Sequence, residues 1–120
     1  MKRYTVITTF NQQGLEKYGQ RCISTFEQFW PAEVDLIVYT EKCTPQITKP
    51  NVKCIDLIAN SKHCKRFIKR HKDNPEANGG IGPHNERIWK PNKHFKWQGL
   101  RFSYKVFSIY HAMQYIDTEW

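Results

Sequence analysis

Residues 34–40 read VDLIVYT, an almost continuous apolar run of the length of one strand. A strand exposed on one face alternates apolar with polar side chains, whereas a strand covered on both faces reads as an unbroken hydrophobic run. The segment therefore predicts the central strand of a parallel sheet with helices on both sides. That requirement constrains the whole chain, because parallel neighbours need crossover connections.

The flanking sequence supplies them. Residues 4–10, YTVITTF, are β-branched and aromatic and run into the polar segment Asn11, Gln12, Gln13, Gly14, the pattern of a strand entering a loop. A helix is then predicted from near Leu15. Its apolar positions Leu15, Tyr18, Cys22, Phe26, Phe29 and Trp30 recur at steps of three and four, and Pro31 ends it. After the central strand, a loop with Pro45 and Pro50 leads to a shorter strand at 52–57, VKCIDL. Strand, helix, strand, loop and strand predict an α/β fold: a Rossmann-like, partly parallel sheet flanked by helices. With 120 residues and 39% hydrophobic composition, 1–120 is read as a single domain with one modest core.

Beyond the third strand the pattern weakens. Residues 58–74 have helical spacing but a thin apolar stripe, chiefly Phe67 and Ile68, which predicts an exposed helix or broken helical turns. Residues 75–99 hold Gly79, Gly80, Gly82, Pro83, Pro91 and Gly99 and predict a long irregular loop. In it Trp89, Phe95 and Trp97 alternate with Lys90, Lys93 and Lys96. Periodicity returns in RFSYKVFSIYHAMQYI, residues 101–116, where Phe102, Val106, Ile109, Tyr110, Met113 and Ile116 keep a three-and-four step, widened by Phe107. This stripe is expected to be the buried side of the last helix. Asp117, Thr118, Glu119 and Trp120 follow, and a helix at this point of an α/β fold is expected to deliver the chain into another strand. The domain is therefore expected to be incomplete, leaving the edge of 4–10 unpaired and open to self-association.

Charge is unevenly distributed. Between residues 61 and 105 stand twelve Lys or Arg against three acids, a net +9 in a chain whose total is +8. Such a field attracts phosphates on nucleotides, nucleic acid or lipid. Cys22, Cys43, Cys54 and Cys64 are spaced by 21, 11 and 10 positions, which fits neither a zinc ribbon nor a disulfide scaffold, so reduced thiols are expected. No apolar run is long enough to cross a bilayer and the first residues do not form a signal peptide, so a cytoplasmic protein without a membrane span is expected.

Ligands of open α/β sheets bind at the carboxyl ends of the strands. This selects Thr8, Thr9, Phe10 and Asn11 after the first strand and Tyr39, Thr40 and Glu41 after the second. Hydroxyls, an amide, an aromatic ring and a carboxylate suit a nucleoside. Arg101 and Lys105, one turn apart at the start of the last helix, can converge on one anion. The run FNQQGLEKYG lacks a phosphate-cradling glycine loop, so neither a Walker-type NTPase nor a classical dinucleotide fold is supported. Ser103, Ser108, His111 and Asp117 form no recognisable catalytic group, and His111 is expected on the polar face of its helix.

The segments TVITTFNQQGLEKYGQRCISTFEQFWP, DLIVYTE and RFSYKVFSIYHAMQYIDTEW together resemble the N-terminal half of GT-A-type glycosyltransferases, notably small ones of phages and bacteria. The resemblance implies a GT-A-like half-domain in a bacterial or phage-infected cell, hexosyltransferase-like, holding a UDP- or GDP-linked sugar. It puts Thr8, Thr9, Phe10, Asn11 and Glu41 against the nucleoside and Arg101 and Lys105 near the diphosphate. It also implies a strand bearing an Asp-x-Asp metal motif after the last helix, which this sequence lacks; D-T-E at 117–119 is not that motif. No cofactor is thus expected within this chain, and Mn²⁺ or Mg²⁺ only if the motif is supplied, so activity alone is not expected. The alternative is a small basic phage-type protein that binds nucleic acid through its Lys-rich helix and aromatic loop.

Overall fold

The computed structural model describes residues 4–74, 77 and 99–116. Three strands form a parallel sheet in the order β1 (Tyr4–Asn11), β2 (Val34–Glu41), β3 (Val52–Asp56). Tyr4 lies opposite Val34 and Asn11 opposite Glu41, and Leu36 opposite Val52 through Thr40 opposite Asp56. The strand expected at the centre is central, and the mixed α/β class with helices on both faces of a parallel sheet is the one expected.

Alternation along β2 builds two cores. Val34, Leu36 and Val38 point to one face, where they meet Leu15, Ile23 and Phe26 with Phe10 and Val52. Ile37 and Tyr39 point to the other and pack with Leu57, Cys64 and Ala112. Each large aliphatic side chain buried this way contributes roughly 1.5–3 kcal/mol, so β2 anchors both layers.

The helical run after β1 is a composite of α1 (Gln12–Gly14), a π-helical turn at Leu15–Gly19 and α2 (Gln20–Phe29). Asn11 starts it: its extended backbone and side-chain oxygen, which accepts from Gly14 N at 2.8 Å, make it the N-cap. The wide turn inserts extra residue length and shifts the phase of α2. The buried positions are Leu15, Gly19, Ile23 and Phe26, whereas Tyr18, Cys22, Phe29 and Trp30 of the expected stripe are exposed. The buried set and the expected stripe both keep steps of three and four, and the set that meets the sheet is the one that carries the small Gly19.

Residues 58–74, expected as an exposed helix or broken helical turns, form the end of a short helix and one ten-residue helix with an exposed face. Leu57, read as the end of the third strand, begins α3 (Leu57–Asn60), which Asp56 caps by accepting from Ala59 N at 2.9 Å. Ser61 then caps α4 (Lys62–His71) by accepting from Cys64 N at 3.1 Å. Four thiols are free, Cys64 fully buried among them. The loop expected at 75–99 lies outside the described residues except for Ala77 and Gly99, and so do residues 117–120.

The last helix, α5 (Gly99–Tyr115), corrects the expected stripe. Its sheet-facing side is made of Ser103, Ser108 and Ala112, with Tyr104, Phe107 and Ile116 beside them. Phe102, Val106, Ile109, Tyr110 and Met113 are 40–63% exposed. Close approach explains the choice: small residues let the helix axis settle near the strands, and the Ser103 and Ser108 hydroxyls donate back to Leu100 O and Tyr104 O, so nothing polar is stranded. Among the described residues the bulky stripe has no covering layer.

Candidate functional site

The carboxyl ends of β1 and β2 stop side by side, and α5 begins above them. Thr9 and Glu41 sit on the same face, and Thr9 Oγ1 donates to Glu41 Oε2 at 3.0 Å. Immediately after Glu41 the chain turns away at Lys42, whose φ of 57° lies in the left-handed region. Around this pair is a cavity of about 230 Å³, also lined by Phe10, Asn11, Tyr18, Arg101, Phe102, Tyr104 and Lys105.

Six of the seven residues selected from the sequence, Thr9, Phe10, Asn11, Glu41, Arg101 and Lys105, therefore meet at one cavity. Thr8 does not. It borders a second space of about 340 Å³ along the outer side of β1, together with Ile7, Tyr18, Lys105, Ser108 and Ile109. Tyr39 and Thr40, named by the same strand-end rule, are buried: Tyr39 in the core and Thr40 with its hydroxyl 3.5 Å from Ile55 O.

Several roles differ from expectation in detail. The Asn11 side-chain oxygen is engaged in capping, so its amide nitrogen is the part left to meet a ligand. Phe10 is almost fully buried and serves as floor. His111 is not on a polar face: its Nδ1 pairs with the Tyr39 hydroxyl at 2.8 Å and its ring meets Tyr39 edge-on.

Tyr18, Phe102 and Tyr104 were not selected from the sequence. Tyr18 stands edge-to-face with Phe10, ring centroids 5.7 Å apart. A Cβ on Gly14 would lie 2.9 Å from the Tyr18 hydroxyl, so glycine at 14 leaves room for that phenol. The signal was the pair of glycines flanking Tyr18 in GLEKYG, hidden by the helical periodicity that assigned Tyr18 to the core. Phe102 carries the Lys105 ammonium 5.7 Å from its ring centre.

The electrostatics are those of a binding cleft. Burial pushes the Glu41 carboxyl above its ordinary 4.5, and the Thr9 hydrogen bond and the Arg101 charge pull the other way. Burial, with the Glu41 carboxylate nearby, also raises the Tyr104 phenol. A carboxylate and a hydroxyl at one end, two cations at the other and several rings between them can accept ribose hydroxyls, pair with phosphate and stack on a base.

Glu41 is the only carboxylate among the described residues lining the cavity, and among the described residues no group of three or more His, Cys, Asp or Glu is placed to hold a metal. Hard cations such as Mg²⁺ and Mn²⁺ take several oxygen ligands, so the described side chains do not make up such a site. No described helix is long and apolar enough to cross a membrane. No protein-family model, curated protein or solved structure matches this chain.

Proposed function

We propose that the cavity holds a nucleoside diphosphate sugar, UDP- or GDP-linked, and that the chain is a GT-A-like, glycosyltransferase-type half-domain whose task is to bind that donor. The observation that carries the reading is the convergence of Thr9, Glu41 and Tyr18 with Arg101 and Lys105 on one cavity at the strand ends. The polar strand ends suit the nucleoside, the rings suit its base, and the two cations on successive turns of α5 suit the diphosphate. A diphosphate also gains from the amide groups at the start of α5. With Glu41 the one carboxylate among the described lining residues, no transfer step is assigned to them.

Titration with UDP and GDP, with and without Mn²⁺, followed by calorimetry and amide chemical shifts, tests the reading. Saturable binding with shifts at Thr9, Glu41 and Arg101 is expected, and it is expected to weaken at least about tenfold in Arg101→Glu. A chain whose heats and shifts stay flat at millimolar nucleotide does not have this function.

A further inference from the structure

Helices α4 and α5 lie side by side on one face of the sheet. The His63 and Tyr110 rings meet at 5.2 Å, and Phe67 and Phe107 at 5.5 Å. Their outward surfaces are opposite in kind and adjacent in space. On α4, Cys64, Phe67 and Ile68 turn inward, while Lys62, Lys65, Arg66, Lys69 and Arg70 are exposed. At 100° per residue these five cations fall within an arc of about 140°, and no acid occurs between Leu57 and Lys72 to neutralise them. On α5, Phe102, Val106, Ile109 and Met113 follow one another at steps of four, three and four, all exposed. Tyr110, half in contact with His63, joins the two strips.

We infer that this double strip is a membrane-docking face that lies on an anionic lipid surface, with α5 dipping its apolar side chains among the acyl chains and α4 pairing with phosphate head groups. The two strips call for different surroundings. A cationic arc gains from anions, and a row of bulky apolar side chains gains from leaving water; an anionic bilayer interface offers both at once. Nucleic acid satisfies only the first, since among the described residues no aromatic side chain stands in the cationic arc for bases to stack on. A second copy of the chain would cover the apolar row but bring two cationic helices together. Phe102 is shared with the lining of the nucleotide cavity, whereas Val106, Ile109 and Met113 and the α4 cations stand outside it.

Co-sedimentation of the chain with vesicles of phosphatidylglycerol and phosphatidylcholine, against vesicles of phosphatidylcholine alone, tests this. Partitioning onto the anionic vesicles only is expected, weakening several-fold as salt rises. The combined variant Lys65→Gln, Arg66→Gln, Lys69→Gln, Arg70→Gln is expected to lose at least about tenfold in partition coefficient. Val106→Gln with Ile109→Gln and Met113→Gln is expected to remove the binding that persists at high salt; if circular dichroism shows this variant misfolded, Val106→Gln alone, at an exposed position, replaces it. Absence of vesicle binding overturns the proposal, as does equal binding to neutral vesicles or an apolar variant that binds like the parent. Tighter saturable binding to a single-stranded oligonucleotide than to vesicles at physiological salt, or a dimer by sedimentation at assay concentration that the apolar variant dissolves, overturns it as well.

Discussion

The Tyr39 hydroxyl and His111 Nδ1, 72 positions apart in the chain, share a 2.8 Å hydrogen bond that ties the central strand to the last helix. Tyr39 is fully buried and among the described residues its hydroxyl has that one partner, whereas His111 is partly exposed and retains access to water. The two removals are therefore unequal. Tyr39→Phe is expected to cost about 0.5–1.5 kcal/mol and His111→Leu about 1–3 kcal/mol, because the latter strands a buried hydroxyl. Urea unfolding of both single variants and the double variant checks this, with a coupling of about 0.5–3 kcal/mol expected between them.

The same burial makes Tyr39 an alkaline reporter. Desolvation, helped by Tyr115 nearby, pushes its phenol from 10.0 up to about 12. A group whose folded pKa is raised stabilises the fold fully below its unfolded value and ceases to do so as pH climbs through the folded one. Stability is expected to fall between pH 10 and about 12 more steeply in the parent than in Tyr39→Phe. Phenolate absorbance and denaturant midpoints across that range measure it.

Glu41 follows the same sign at lower pH. Burial raises its carboxyl above 4.5 despite Thr9 and Arg101, so its stabilising share is whole below 4.5 and is lost as pH rises through the folded value. A carboxylate kept ionised in a partly buried cleft opposes the fold, as groups at binding sites often do. Glu41→Gln keeps an oxygen to accept from Thr9 while removing the charge. It is expected to unfold at higher denaturant than the parent at neutral pH and at the same denaturant in acid, while losing affinity for nucleotide. Equal midpoints at both pH values would show that the charge is fully solvated.

Much of this arrangement was legible in the sequence. The unbroken apolar run at 34–40 gave the central strand because burial on both faces leaves no room for polar alternation, the strand-end rule led to Thr9, Asn11 and Glu41, and the spacing of cations at the start of the last helix led to Arg101 and Lys105. Two things were hidden for physical reasons. In the first helical run the buried set Leu15, Gly19, Ile23 and Phe26 keeps helical steps just as the bulkier stripe does, and the bulkier one drew Tyr18 into the core although it is the small Gly19 that packs on Phe10. On α5, the strongest apolar period marked the side that faces outward, because the sheet accepted the small residues Ser103, Ser108 and Ala112. Periodicity reports which residues share a face; which face meets the sheet depends on how near the backbones come.

Which face of the first helical run meets the sheet can be tested by truncation. Ile23 is fully buried against Leu36 and Val38 in the same core, so Ile23→Ala is expected to cost about 2–5 kcal/mol. Cys22 and Phe29, which regular periodicity would bury, are exposed. Their alanine variants are expected to stay within about 0.5 kcal/mol of the parent. Thermal or urea midpoints of the three variants distinguish burial of this face from burial of the bulkier stripe, which would reverse the order.

Gly19 connects that face to the cavity. A Cβ built there would lie 2.9 Å from two atoms of the Phe10 ring, and the ring is nearly fully buried in the core beneath the cavity, with no free end to swing away. The backbone of Gly19 has φ −63°, an ordinary helical value, so alanine is strained by contact and not by conformation. Gly19→Ala is thus expected to cost about 1–3 kcal/mol through overpacking, partly offset by the better helix propensity of alanine. Because Phe10 lines the nucleotide cavity, the displaced ring is also expected to weaken UDP or GDP binding. The paired variant Gly19→Ala with Phe10→Leu relieves the clash, and recovery of stability without full recovery of affinity is expected, measured by unfolding and by calorimetry on the same preparations.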